Sequence, residues 1–588
     1  MNKKKSALYF IPVILLLTVV PLIVRMYSFK SGLAQFDWSP ASDETLDFFL
    51  YYKSLAITVI AAAMSIILAV RYFMKKKEFK FCYEMIPIII YAALTFLSSI
   101  FSQYRYFSFH GAVEVFETVW VLLGYCVIAF YAYQLIDTFE DLDCIMKWMT
   151  VGVALMLVIG MLQVTGRDFY TSEFGKKLVT GGMADIDLAF EKGRVFLGMY
   201  NPNYVASYFA LIIPMEIALL IQNKKWYFRI LYAGMLVLSI ICLLASGNRS
   251  AIAAFAVTIL FILLLFNKRL IKAWKIVLPV TAVIAVVFGT YLKKDDFIIQ
   301  KFVRLMHAED RPEDPISEIV TGDNDVAITC NGQVFHAAYD ITPEGYINMT
   351  IQDDAGTALN TTVDEATFTY AVQDERFPGF TVQAVNLNNE IAMGVFAGNV
   401  TWYFKKGDDG TYYYYNVYGR WDKINNAPRV WVNYLEKRFE ERGTIWSKTI
   451  PLLKNCVIFG TGADTYTVVY PQDDYVDKTY DYSTSSMDVK PHCLYLQIAV
   501  QSGIPALLAV LVFYIWYFVT GVRLYAKASY QDGMEIIGAG LLLATFTYMV
   551  ISFLNDSTVT VAPIFWIMMG LGIAVNEILK KKGAGQGR

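Results

Sequence analysis

The feature that most constrains this chain is the spacing of its apolar runs. Twelve of them, near 8–24, 54–73, 82–101, 112–135, 147–164, 204–221, 229–246, 250–266, 274–291, 494–519, 534–553 and 559–578, approach the ~20 residues a helix needs to cross a bilayer. Backbone inside lipid must satisfy its own hydrogen bonds, so such runs fold as packed helices. Only 17% of the 588 residues are charged, against about 25% in a soluble protein. The expected fold class is an all-α integral membrane protein of about 12 transmembrane helices, with membrane lipid as its surroundings. A net charge of -2 argues against a bulk nucleic-acid partner. The seven cysteines show no spacing of a metal site or disulfide framework. Met1-Asn-Lys-Lys-Lys5 precedes the first run without a small-residue cleavage site, and reads as the start of an uncleaved span.

Lysine and arginine in short connections set the orientation. Lys3–Lys5, Arg71 with Lys75–Lys77, Lys224-Lys225, Lys268-Arg269 with Lys272, Arg523 with Lys527, and Lys580–Lys582 all fall on even-numbered connections. Both termini are therefore expected in the cytoplasm; only the acidic stretch Asp137–Asp143 breaks the trend. Three polar segments then lie outside: Gly166–Asn203, Ser246–Ser250 and the long Lys293–Lys490. The expected division is a membrane domain over 1–292, a linker over 293–317, an inserted small β domain over 318–432, an outer segment over 433–490, and three final spans over 491–588. The β domain is read from runs rich in β-branched and aromatic residues, such as Ala327–Cys330, Tyr346–Ile351, Ala366–Val372 and Thr411–Tyr415, parted by turns such as Asp409-Gly410. Val432–Lys448 has the spacing of an amphipathic helix on the membrane surface.

Several stretches carry residues able to do chemistry. In Gly193-Arg-Val-Phe-Leu-Gly-Met-Tyr-Asn-Pro-Asn203, Arg194 and a helix start capped by Asn203 favour an anion, although an outer turn with an N-cap explains them as well. Arg249 stands between two apolar runs, either as a functional charge or as an arginine snorkelling to the headgroups. Arg438 and Arg442, with Trp446, are suited to phosphate, or simply form a charged helix face. Phe459-Gly-Thr-Gly-Ala-Asp-Thr465 lacks the Lys-Ser or Lys-Thr of a phosphate loop and reads as a turn. Asp473, Asp474, Asp477 and Asp481 read as an acidic loop rather than a divalent-metal site. Tyr412–Tyr415, Tyr418 and Trp421 fit either sugar stacking or sheet alternation. Glu114 and Glu117 are expected one helical turn apart at the outer end of the fourth span, binding substrate or pairing with an arginine. His492 follows Lys490-Pro491 where the polar region meets an apolar run; an imidazole there can take a proton from an attacking hydroxyl, or serve as an interfacial cap.

As an ordered set, these stretches resemble the O-antigen ligase and polymerase family of bacterial envelope proteins. The carriers are Gly193-Arg194 with Asn201-Pro202-Asn203, Ser246-Gly-Asn-Arg-Ser250, Arg442-Gly-Thr-Ile-Trp446, Gly460-Thr-Gly462, Lys490-Pro-His492 with Tyr495-Leu-Gln497, and Ser502-Gly-Ile-Pro505. The resemblance implies a multispanning glycosyltransferase at the outer face of the bacterial cytoplasmic membrane. It implies a glycan donor on undecaprenyl diphosphate, a glycan, lipid-linked sugar or protein as acceptor, and neither metal nor cofactor. It places the catalytic role on His492 and the diphosphate on Arg194, Arg249 and Arg442, with Asn201, Asn203, Arg438, Glu114, Glu117 and Lys490 in support. Two departures stand out: Cys493 occupies a position where the family commonly has Asn, and the β domain lies outside the minimal pattern. A flippase of lipid-linked glycans, a protein O-oligosaccharyltransferase and an envelope sensor are the rival readings.

Overall fold

The structure, a computed structural model, describes residues 7–74, 79–183, 193–248, 250–272, 316–344, 346–364, 366–398, 400–430, 441–481 and 486–586. Its helices are α1 (Ile11–Thr18), α2 (Tyr51–Phe73), α3 (Ile86–Phe101), α4 (Arg105–His110), α5 (Val119–Leu135), α6 (Phe139–Val164), α7 (Glu173–Thr180), α8 (Pro202–Gln222), α9 (Trp226–Ala245), α10 (Ser250–Lys272), α11 (Glu441–Leu452), α12 (Tyr466–Val469), α13 (Tyr475–Asp481), α14 (Leu494–Ser502), α15 (Ile504–Tyr525), α16 (Gly533–Ile551) and α17 (Ala562–Gln586). Among the described residues, eight of these helices are long and apolar enough to cross a membrane, which makes the chain a multi-pass membrane protein. Shorter apolar helices stand at Ile11–Leu22, Val119–Leu135 and Ser250–Leu263. The expected span at 274–291 lies outside the described residues. The expected single run over 494–519 is two helices: Gly503, at φ 97, breaks it, and Pro505 opens the second.

Burial ranks the helices. The span windows of α8 and α17 are 83% buried inside the protein, against 28% for α2 and α9, so the first pair is central and the second faces outward. Lipid gives no hydrophobic drive for helices to associate, so close packing through small residues does that work. A Cβ on Gly540 of α16 would lie 2.4 Å from Ala218 Cβ of α8, and one on Gly570 of α17 would lie 2.1 Å from the Ala129 carbonyl of α5. At one end of the bundle the charges pair: Lys580 with Glu84 at 2.9 Å, Lys582 with Asp532 at 2.9 Å, and Lys80 with Asp137. That last pair, with Lys147–Asp143, balances the acidic stretch that broke the sequence trend.

Strands β1 (Tyr27–Lys30) and β2 (Glu44–Asp47) form a hairpin in the first connection. The β region holds two antiparallel meanders. One is a four-stranded sheet from β3 (Ile316–Thr321) to β6 (Ile347–Asp353). The other is a seven-stranded sheet from β7 (Thr361–Asp364) to β13 (Trp421–Asp422). They share one apolar core, which also takes in Tyr475 and Val476 of α13. Tyr412 and Tyr414 point into that core while Tyr413 and Tyr415 do not, the period-2 alternation of a strand. The β region is tied to the first connection by Asn416 Nδ2 on the Asp37 carbonyl (2.8 Å) and by Arg420 on the carbonyls of Ala34 (2.8 Å) and Phe36 (2.9 Å).

The expected amphipathic surface helix is corrected in its described part. In α11, Thr444, Ile445, Ser447, Lys448 and Thr449 are all buried. Lys448, 1% exposed, pairs with Asp474 (2.9 Å) and Asp477 (2.7 Å), and Arg429 also binds Asp477. A lysine enclosed this way is held because its charge is met on two sides.

Candidate active site

The site gathers where the connections at 102–118, 193–203, 246–248, 486–493 and 552–558 meet at one end of the bundle. Its centre is the entry to α14. The first amide groups of a helix have no partner within it, and the capping position here is Cys493, which makes no side-chain cap. Asp556 from the opposite connection fills that role. Its Oδ1 accepts from the Cys493 amide at 3.0 Å and its Oδ2 meets His492 Nδ1 at 3.0 Å. The Leu494 amide donates to the carbonyls of Ser552 (2.9 Å) and Asn555 (3.0 Å). His492 is held in the left-handed region at φ 51, which a non-glycine residue adopts only where its surroundings fix it. With Nδ1–H assigned to the carboxylate, Nε2 is the nitrogen free to accept a proton. The His492 side chain is 37% exposed and the Asp556 side chain 2%: the imidazole is reachable and the carboxylate that orients it is not. Cys493 is buried, which pushes its thiol up to about 11, and the polar contact at this position comes from Asp556.

Lys490 lies two residues before His492 and is 3% exposed. Its Nζ donates to the Tyr204 hydroxyl at 2.7 Å. Burial alone pulls this ammonium down, but Tyr204, Asp556 and Glu117 outweigh it and hold the group above its ordinary range. Glu114 and Glu117 are not on a helix. They occupy the non-helical segment before α5, with Glu114 at φ 61 and Thr118 as the N-cap. Glu117 is fully buried and accepts from the hydroxyls of Tyr125 (2.8 Å) and Ser557 (2.6 Å) and from Gln497 Nε2 (3.0 Å). Glu114 is hydrogen-bonded to Tyr200, in the loop just before α8. Asp464 receives the Ala112 amide at 2.7 Å, and burial pushes its carboxyl up to about 8.

The arginine-bearing segments converge on the same end. Arg194 Nε donates to the Ser246 carbonyl at 3.3 Å, with its guanidinium 5.9 Å from the Phe196 ring centroid. The amides of Phe196 and Leu197 both bind Gln163 Oε1 at 2.9 Å, which fixes the loop after Arg194. The N-cap of α8 is Asn201, not Asn203: Asn201 Oδ1 takes the Asn203 amide at 2.8 Å, with Pro202 at the first helical position. Asn203 is thereby free for the site, where its side-chain oxygen accepts from Asn248. Asn555 Nδ2 reaches the Asn203 carbonyl (3.2 Å) and Ser207 Oγ (3.0 Å). Three amides thus join α8, the turn before α10 and the Asp556 connection. Arg249 and Arg438 lie outside the described residues; Asn248 and Ser250, on either side of Arg249, belong to this amide cluster. Arg442 is on α11 four residues before Trp446, hence on the same face, and Trp446 Nε1 donates to the Pro491 carbonyl at 2.8 Å.

Sequence reasoning missed Asp556, Asn555, Ser557 and Tyr204. A signal for the first three exists: Asn555-Asp-Ser-Thr558 is a short polar run between two apolar ones. Asp474 and Asp477 are engaged by Lys448, which leaves the acidic loop a structural role. Neither a scan against protein-family models nor a search of curated proteins returns a match for this chain.

Proposed function

We propose that this chain is a glycosyltransferase at the outer face of the bacterial cytoplasmic membrane, with both termini in the cytoplasm. It ligates or polymerises glycan from an undecaprenyl-diphosphate-linked donor onto a glycan, lipid-linked sugar or protein. The observation that carries this reading is an exposed imidazole oriented by a buried carboxylate beside a buried ammonium, where polar segments meet apolar helices. His492 Nε2 takes the acceptor hydroxyl's proton. The acceptor oxygen bonds to the anomeric carbon, and the bond to the diphosphate oxygen breaks with its electron pair. Arg194, Arg249 and Arg442 bind the diphosphate, whose growing charge is worth most to stabilise in a water-poor site. Lys490 supplies a fixed positive charge behind the base. The energy comes from the donor's diphosphate ester.

The test is the cell-surface glycan of a strain carrying His492→Ala at normal protein abundance. The expected result is loss of product with lipid-linked donor accumulating; unchanged glycan overturns the proposal. In the same gels, single units without long chains mark a polymerase. Long chains left on the carrier mark a ligase.

A further inference from the structure

Glu117 touches neither His492 nor any open surface, yet it is one of the most completely hydrogen-bonded side chains near the site. Its three partners come from three parts of the chain: Tyr125 on α5, Gln497 on α14, and Ser557 in the connection before α17. The Gln497 amide orientation is fixed by its other contact, because its Oε1 accepts the Ser557 amide at 2.9 Å and its NH2 must then face Glu117. Ser557 is consequently gripped twice, at its backbone by Gln497 and at its hydroxyl by Glu117 at 2.6 Å. The residue before Ser557 is Asp556.

We infer that Glu117 is a positioning residue for the transfer reaction: through Ser557 and Gln497 it fixes the connection that carries Asp556, and so sets the angle at which Asp556 holds His492. This rests on the proposed glycosyl transfer. The physical case is one of reach. The Asp556 carboxylate serves two donors at 3.0 Å each, the imidazole and the Cys493 amide. A small rotation of residues 555–557 breaks one or both. Asn555 anchors one side of Asp556, through the Asn203 carbonyl and Ser207, and Ser557 anchors the other. Without Glu117, the second anchor keeps only the Gln497 contact. The cavity lined by Glu117, Gln497, Ser557, Tyr91 and Trp566 has room for about one water, which could take the vacated contact without restoring the tether.

The experiment measures kcat and donor KM for purified protein in proteoliposomes, with lipid-linked donor extracted from the source cells. Ser557→Ala deletes one hydroxyl, Glu117→Ala deletes the anchor, and Glu117→Gln keeps an oxygen for Gln497 and the same shape. The expected result is a kcat loss of about 10–100-fold for Glu117→Ala, a smaller loss for Ser557→Ala, unchanged donor KM, and recovery of most of the loss in Glu117→Gln. In an Asp556→Asn background, neither Ser557→Ala nor Glu117→Ala lowers kcat further, because residues acting as a unit are non-additive. Losses that multiply in that background, or that fall on KM alone, overturn the inference. Should Glu117→Ala fail to accumulate, Ser557→Ala and Glu117→Gln decide by the same criteria. Failure of His492→Ala to reduce transfer refutes the function itself, a separate outcome.

Discussion

At the scale of the residue, the site depends on side chains whose surroundings override their usual behaviour. Asp464 shows this most simply. Its Oδ1 is buried without a hydrogen-bond partner among the described residues, and its carboxyl is pushed up to about 8 by burial. An unfolded aspartate releases its proton near pH 4. Between those two values the folded chain holds a proton that the unfolded chain has lost, so stability falls as pH rises from about 4 to about 8 and then levels off. Replacing Asp464 by Asn removes that slope. Melting temperatures in detergent at pH 5, 6, 7 and 8 should fall with pH more steeply for the native protein than for Asp464→Asn; parallel profiles would contradict the assignment. His492 was visible in the sequence because a histidine at a polar–apolar junction is conspicuous. Asp556 was not, because its role depends on a contact 64 residues away in the chain. Periodicity and local motif carry no information about such a pairing.

At the scale of the element, the break between α14 and α15 is held by backbone contacts. The amides of Thr461 and Gly462 donate to the carbonyls of Val500 and Gln501 at 2.8 and 2.9 Å, and the Ile504 amide donates to the Cys456 carbonyl at 2.9 Å. This backbone clasp holds the glycine-rich turn against the end of α14, and it needs glycine at Gly460: a Cβ there would lie 2.3 Å from the Gln501 carbonyl carbon. Because the obstacle is backbone, Gly460→Ala should cost about 1–3 kcal/mol and lower both melting temperature and transfer. An unchanged melting temperature would show that the clasp does not secure α14. The sequence marked this stretch as a turn from its glycines, and it is one. It could not show that the turn clamps a helix, since apolar runs on both sides of Gly503 read as one span. The reverse error befell α11, where apolar residues at helical spacing with charges between them predicted a surface helix. Lys448 is instead buried between two aspartates, and a hydropathy pattern counts a paired charge and a solvated one alike.

At the scale of the molecule, the polar segments of five connections are brought to one end of an apolar bundle. Of the twelve spans expected from hydropathy, eight stand as long apolar helices among the described residues, beside a β-sheet region, because both kinds of element depend on local periodicity. What hydropathy could not foretell is how the β region attaches. Arg420 donates to two carbonyls of the first connection and pairs with Asp37 at 2.5 Å, and Asn416 bonds both the Asp37 carbonyl and Tyr475. With Lys448 holding Asp474 and Asp477 below, the β region is continuous with the helix that bears Arg442. Hydrogen bonds to a charged group contribute about 1.5–3 kcal/mol. Arg420→Ala should therefore speed amide exchange over residues 33–37 and 412–422 by about tenfold or more, with the membrane helices unaffected. Equal exchange in both proteins would mean that the β region is held elsewhere.

The proposed transfer turns on the pairing of His492 with Asp556 as the base that activates the acceptor. The most direct measurement is single-turnover glycan transfer in proteoliposomes by the native protein, His492→Ala, Asp556→Asn and the double variant, at matched abundance and saturating donor. The predicted result is a large loss in each single variant and a double variant no slower than His492→Ala alone. Transfer at the native rate by His492→Ala would contradict it.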